Sequence, residues 1–536
     1  MKRALEIVFL AALVSTLAAC GDSGMLSGDD SGGGWDDSAG DADADMDADA
    51  DADSDADSDV PEEEEQVDYR IPQGSGRYVF IADETHDSVV VVDSESLVID
   101  VAEVGSHPTH LLPLADENAA AVINVDSDDA TVLRVDQPGQ ISTVDLDTRP
   151  DTNALSASDD GRYVTAFFDP IFAEESGPPG TDQEITVMHT LEGYESAHHL
   201  TVGMHPSRVV YNDVATRAFV ITEEGINVID LENLGDTGLP PMVTLFDPVE
   251  VDADSVEIAI DPNGDFAVAR QEGSEIVMAA PLDGSGAPRS YELEAPPTDL
   301  DLAEDGSFGV LVIRSLGEVA LFDLPLPASP SEDPFTYVEL GETICGSATI
   351  TPDGQTVLLH TTVAGEVDDR RVLTAMRRGG EGGWEVDHAM LEREIHSVAA
   401  GADSTTAVVI HQPASSSELE MPYSYSLIEL GQLQVKFQQI PVDPGQLLLT
   451  PDGDYGFLLL RDDGQGIRDV DIIDMKSFIV DTLVLGSPPT AAGYAAETDK
   501  VFVAQEHPAG RMTFIGVHED TVKTVTGYAL NDEIDD

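Results

Sequence analysis

From about residue 70 onward, one pattern returns roughly every 47 residues, a period typical of solenoids and propellers. It reads apolar strand, turn, apolar strand, polar loop, apolar strand ending in Asp, turn, fourth strand. A unit of four short strands cannot bury its apolar faces alone, so it must stack against copies of itself. The first turn is clearest in Thr351-Pro352-Asp353-Gly354 and Thr450-Pro451-Asp452-Gly453. It recurs as Asp261-Pro262-Asn263-Gly264, Glu304-Asp305-Gly306 and Asp159-Asp160-Gly161. Pro, then Asp or Asn, then Gly suits a type I turn closed by a left-handed residue, as a short hairpin needs. A strand is predicted after each turn: 163–168, 266–269, 308–313, 356–359 and 455–460.

The third strands read Val89 to Asp93 (VVVVD), Asn227 to Asp230 (NVID), Val319 to Asp323 (VALFD) and Asp471 to Asp474 (DIID). Apolar, often β-branched residues closed by Asp mark a strand running into a turn. Degenerate copies start near Asp116, Asp213, Asp403 and Glu497, where the turn glycine is lost. The count is about ten units over residues 70–536, with helix signals nearly absent. The expectation is an all-β chain, a β-propeller of four-stranded blades. Ten units exceed the usual four to eight blades. One large ring is favoured over two fused rings, because no linker-like break interrupts the period.

The order of strand, PDG turn, strand and apolar run ending in Asp resembles the YVTN family of propellers, which is WD-repeat-like. Two units keep that family's linking turn well: Val104-Gly105-Ser106-His107-Pro108 and Val202-Gly203-Met204-His205-Pro206. The resemblance implies a fold and no particular activity.

The pattern sorts loops onto two faces. PDG turns and the turns after each closing Asp fall on one face and are short. Loops between second and third strands, and links between blades, fall on the other. Three long insertions are expected there, at 169–184, 412–423 and 461–468. Function concentrates on long loops held by a rigid frame, so this face is the expected site. It also collects His86, His107, His110, His205, His360, His396, His411 and His507. One reading is a metal or catalytic site at the channel mouth, with imidazoles converging from several blades. The other makes His107 and His205 parts of a structural GxHP turn and disperses the rest around a wide ring. No HxH or HExxH pair is present, and adjacent His198 and His199 would point to opposite sides of a strand.

Other motifs are weaker. Asn124 to Asp129 (NVDSDD) spaces oxygens that could hold calcium, but has no glycine at the bend, so a solvated acidic loop is the better reading. Arg370, Arg371, Arg377 and Arg378 form the one basic concentration, expected to pair with Asp368, Asp369 and Glu381 across a hairpin. Cys345 is expected to be a small buried apolar residue rather than a nucleophile. No GxSxG elbow, Walker loop, dinucleotide glycine pattern or haem-attaching CxxCH occurs in the body. Trp occurs only at 35 and 384, which disfavours the quinone-binding propellers, where Trp commonly repeats from blade to blade.

The amino end has its own logic. Met1-Lys2-Arg3 precedes an apolar run from Ile7 to Val14, then Leu17-Ala18-Ala19-Cys20. A basic start, a short apolar stretch and small residues before a cleavage point make a secretory signal. The run is too short to span a bilayer, which takes roughly 20 residues. Its last four residues resemble the lipobox of bacterial lipoproteins. That resemblance implies a diacylglycerol on Cys20, cleavage before it, and acylation of the new amino group. Several acyl chains anchor stably where one would be marginal. With Gly21 and no Asp after the Cys, the family's sorting rule favours the outer membrane. Residues 1–19 are thus the expected signal and 20–69 an acidic tether. Residues 20–68 hold 20 Asp and Glu and no Lys or Arg. Such a stretch has almost nothing to bury and repels itself. Fully drawn out, it could reach about 160 Å. Gly21-Asp22-Ser23-Gly24 within it looks like a serine-protease fragment, but a tether cannot hold an oxyanion hole.

The net charge of −81 leaves −62 for residues 69–536 once the signal (+1) and the tether (−20) are removed. That excludes nucleic acid or anionic lipid as a partner by simple repulsion. A non-catalytic propeller at the cell envelope, binding a protein or glycan, is the leading expectation. No cofactor is expected, although a metal ion is compatible with the histidines. The alternative is a propeller enzyme of the lactonase or oxidoreductase type, with a metal at the channel mouth.

Overall fold

Each repeat folds as its alternation of apolar strands and turn residues requires. The protein, seen here in a computed structural model, is described for residues 71–529, apart from 115–117, 170–182, 236–238, 250, 252–254, 328–332, 363–368, 381–382, 415–420 and 463. Cys20, the signal and the tether lie outside the described residues, as do Asp368 and Glu381. The described residues form forty strands, β1 to β40 in chain order, and ten antiparallel four-stranded sheets. Ordinary helix is absent among them, and short 3-10 turns such as Leu231–Asn233 and Asp369–Arg371 are what remains. No helix of the described residues is long and apolar enough to cross a membrane.

Each sheet is one blade built from consecutive strands. Blade 1 spans 73–103, followed by 108–147, 154–201, 208–243, 256–292, 299–339, 347–390, 395–440, 444–484 and, for blade 10, 489–526. First strands contact first strands of the next blade, so they line the axis, while fourth strands such as Val522–Thr526 are largely exposed at the rim. Ten apolar clusters join the blades, one at every interface. The cluster between blades 10 and 1 packs Phe502, Met512 and Phe514 against Val79, Ile81, Val90 and Val92. There the ring closes, with Gly74 so near the Tyr494 carbonyl that a Cβ would lie 2.4 Å from it. One ring of ten blades is the result.

The short turns form as expected. In blade 5, Asp261 accepts the N–H groups of Asp265 (2.8 Å) and Phe266 (2.5 Å), and Gly264 takes φ +70°. Where the glycine is lost, another residue takes the left-handed conformation: Asn118, Ala215, Ser404 and Asp499, with φ between 47° and 59°. Closing Asp residues cap the turn after them, as Asp474 does by accepting the Ser477 N–H at 2.8 Å. The free edges of the innermost strands are covered from the preceding blade. Ser156 donates to Val209 O, and the Gln446 amide both donates to and accepts from the backbone of Ala492. This satisfies an edge that would otherwise expose unpaired backbone groups.

One expectation needs correction. Residues 461–468 are not a long insertion: one strand runs Tyr455–Asp462 and the next starts at Ile467, because their backbones stay paired to the tip. Two of the acids expected to pair with the arginine group, Asp368 and Glu381, lie outside the described residues, and the contacts among the described residues are these. Arg370 pairs with Glu394 (3.0 Å), Arg377 with Asp387, and Arg371 donates to Leu391 O. Arg378 lies 4.5 Å over the Phe308 ring and 5.4 Å over Trp384. The paired strands 372–378 and 384–390 set Arg377 opposite Glu385 in register, which brings Asp387, two residues on, within its reach.

Candidate functional site

The topology puts each first strand's start and each second strand's end on the loop-rich face. All eight singled-out histidines lie on it, but they are spread around the ring, most of them with separate partners. His86 Nδ1 meets Asp83 at 2.9 Å, and His205 Nδ1 meets Glu223 at 2.8 Å. His107 Nε2 is 4.0 Å from Glu84, and His396 Nδ1 accepts from Gln412 at 3.0 Å. His507 Nδ1 accepts the Ala509 N–H, and His110 sits on the first strand of blade 2. His107 and His205 adopt φ 59° and 48°, the left-handed bend of the GxHP link.

His360 and His411, at the ends of second strands in blades 7 and 8, are buried. Burial pushes both down to about 4, so they are neutral at physiological pH. His411 Nε2 meets Ser426 Oγ at 2.7 Å, whereas His360 Nδ1 is buried without a hydrogen-bond partner. Among the described residues the structure brings no three of these histidines together. The one compact group of ligand-type atoms lies on the opposite face: Asp452, Asp454 and His518, within 4.8 Å of one another. His518 also meets Asp499 at 2.8 Å, and Lys476 pairs with Asp454. These are exposed ion pairs that already satisfy one another.

Cys345 is buried, its thiol pushed up to about 11, as an apolar filler would be. The Asn124–Asp129 turn folds on itself: Asn124 Nδ2 donates to Asp129 (2.6 Å) and Thr131, and Val125 N–H donates to His107 O.

A cleft of 1410 Å³ lies on the loop-rich face, over blades 4 to 6. Its apolar part includes Phe168, Phe246, Pro296 and Pro297. Its polar part comes from the starts of three first strands, β13 (Arg208–Tyr211), β17 (Val256–Ile260) and β21 (Asp299–Leu302), and from the strand or turn behind them. Arg208 donates to Ile258 O of the next blade at 2.5 Å. The residue is exposed to solvent, and Glu257 of the next blade attracts its charge. Glu257 is the cross-strand partner of Arg270, whose Nε donates to it at 2.5 Å. Asp299 and Asp301 accept the N–H groups of Ala348 (2.6 Å) and Ile350 (2.7 Å) in blade 7.

Burial dominates the acids here. It pushes Glu257 and Asp301 up to about 7 and raises Asp299 as well, against the hydrogen bonds and arginines that pull the other way. Glu257, poised near neutrality in the cleft, marks a functional candidate, while Asp301 stands two residues further along β21 than the cleft-lining Asp299. Sequence reasoning missed this set. Its signal was present: Val256-Glu257-Ile258-Ala259-Ile260 carries one acid and Asp299-Leu300-Asp301-Leu302 two at alternate positions of otherwise apolar first strands.

No protein-family model matches this chain, and no curated protein does. Among solved structures, a eukaryotic initiation factor aligns over 86% of this chain and 96% of its own, at 13% identity and a TM-score of 0.48. The dihydro-heme d1 dehydrogenase NirN, in complex with DHE, aligns over 77% and 76%, at 12% identity and a TM-score of 0.41. Kuenenia stuttgartiensis hydrazine synthase aligns over 60% and 95%, at 13% identity and a TM-score of 0.33. None of these likenesses bears on what this chain binds.

Proposed function

We propose that this chain is an exported lipoprotein, held by acyl chains on Cys20 at the outer membrane, whose propeller binds a protein or glycan ligand without transforming it. The observation that carries the binding role is the cleft over blades 4 to 6, a large concavity of mixed polarity framed by rigid first strands. The lipobox-like Leu17-Ala18-Ala19-Cys20 and the acidic stretch after it support the anchor and the spacing. The full chain, displayed on beads, is to be tested against immobilised envelope proteins and glycans, alongside Phe246→Ala. Saturable binding that weakens at least about tenfold in the variant is the expected result, as removing a central aromatic contact does. Turnover of a small substrate that depends on the loop-face histidines would overturn it. For the anchor, Cys20→Ala should move the protein from the detergent phase to the aqueous phase.

A further inference from the structure

Along the cleft wall Arg208, Glu257, Arg270, Asp299 and Arg314 alternate in sign and answer one another. Arg270 donates to Glu257 at 2.5 Å, and Glu257 attracts Arg208. Both Arg270 and Arg314 attract Asp299, which also accepts the Ala348 N–H. The cleft's other three carboxylates stand apart from this row, at hairpin tips of the loop-rich face. Glu223 and Glu224 join β14 (Arg217–Thr222) to β15 (Gly225–Asp230), and Glu272 follows β18 (Phe266–Gln271). Glu223 meets His205 Nδ1 at 2.8 Å. Among the described residues, no hydrogen bond or ion pair holds the carboxylates of Glu224 and Glu272. With every acid ionised, five carboxylates against three arginines leave the cleft at −2, inside a body of −62. The same cleft has an apolar lining that stays open to solvent: Phe168, Phe246, Val251 and Pro296 are each only half-buried.

We propose that this cleft docks a basic, partly apolar segment of a protein ligand, with cationic side chains against Glu224 and Glu272 and an apolar one against Phe246. The inference rests on the binding role proposed above and narrows it from protein or glycan to a cationic protein segment. Charge complementarity selects the sign. A cation relieves the repulsion among the hairpin-tip acids, and a cleft with low-dielectric walls focuses the field of the acidic body onto it. The three arginines do not oppose it, because Glu257 and Asp299 already engage them. An acidic ligand meets the opposite field. The open apolar lining selects the class, since a polyamine or a neutral sugar would cover little of it, whereas an apolar side chain gains by leaving water there. At 1410 Å³ the cleft exceeds the roughly 300–1,000 Å³ that drug-sized ligands fill, which suits several residues of a chain.

Fluorescence anisotropy of the full chain at about 0.15 M salt tests this, since charges more than about 8 Å apart are then largely screened and the pull of the whole body is damped. The probes are a capped hexapeptide of alternating lysine and leucine, its counterpart with glutamate for lysine, its counterpart with serine for leucine, and spermine as a competitor. The lysine–leucine peptide should bind saturably, the serine peptide at least about tenfold more weakly, and the glutamate peptide not at all. Replacing Glu224→Gln and Glu272→Gln together should weaken the lysine–leucine peptide at least about fivefold, as losing two partly exposed ion pairs does. Glu103→Gln with Asp481→Asn removes the same charge from exposed positions on the fourth strands of blades 1 and 9, and should leave affinity within about twofold. Equal loss in the two double variants would show attraction by the body as a whole and overturn the site. Binding of the glutamate peptide, equal binding of the serine peptide, spermine competing as well as unlabelled peptide, or a silent lysine–leucine peptide would overturn it too. In those cases Phe246-dependent binding in the wider protein and glycan panel still upholds the broader reading, and its absence there ends both.

Discussion

Two aspartates show how differently the two ends of this ring treat the same side chain. Asp93 closes the third strand of blade 1 on the short-turn face. Its side chain is 1% exposed, yet Arg77 grips it through Nε and Nη2, and Glu95 N–H and Ser96 Oγ donate to it. Those hydrogen bonds outweigh burial and hold it down at about 2. Asp301 stands on the first strand of blade 6, accepts the N–H groups of Ile350 and Leu302, and is pushed up to about 7 by burial. The charge of Asp93 is therefore satisfied within one blade. At Asp301 burial wins, and the neutral acid is favoured.

Breaking the first of these should have the larger effect. Asp93→Ala leaves Arg77 without its counterion and two backbone donors uncapped. A loss of about 3 kcal/mol is expected, read from hydrogen exchange of the blade 1 amides, with no change in ligand binding at blades 4 to 6. Asp301→Asn should do the reverse. An amide oxygen can still accept the Ile350 N–H, and no charge has to be buried, so stability at pH 8 should hold or rise by up to about 1 kcal/mol.

The pH profile sharpens the contrast. A carboxyl whose folded pKa lies above its unfolded value binds protons better when native. Glu257 and Asp301 should therefore make stability fall as pH rises from about 4 to about 7, then level off. Asp93 works oppositely, its contribution present above about 4 and lost as pH falls towards 2. A scan of melting temperature should show the first slope flattened in Asp301→Asn and the acid-side loss reduced in Asp93→Ala. The smallest effect belongs to His518→Gln. Its pairs with Asp499, Asp452 and Asp454 are exposed, so the change should stay within about 0.5 kcal/mol. Because those acids raise its pKa, what it contributes should vanish as pH climbs through the imidazole range.

The fold was readable because its signals are local. A turn such as Thr351 to Gly354 and a strand such as Val319 to Asp323 carry their own instructions, and even the degenerate turns at Asp213 and Asp403 lie where the period placed them. The sorting of histidines onto one face followed from strand order alone. Their partners did not, since His205 finds Glu223 and His396 finds Gln412 through the exact aim of each bend. The cleft was hidden for a further reason. Glu257, Asp299 and the Ala348 N–H are about one repeat apart in sequence, and their alternation exists only when first strands stand side by side. Arg377 depends on the same kind of placement, since a cross-strand register sets it beside Asp387.

The chain enters this ring through β1 (Gln73–Ser75), a first strand that begins on the loop-rich face and pairs with β2 (Tyr78–Asp83) over three residues. Mechanical load arriving from the amino side is therefore delivered at the hub of the wheel and not at its perimeter. Tension would peel a three-residue strand away from Tyr494 and Phe502 at the seam between blades 10 and 1, while the spokes that carry the cleft, half a turn away, feel it last.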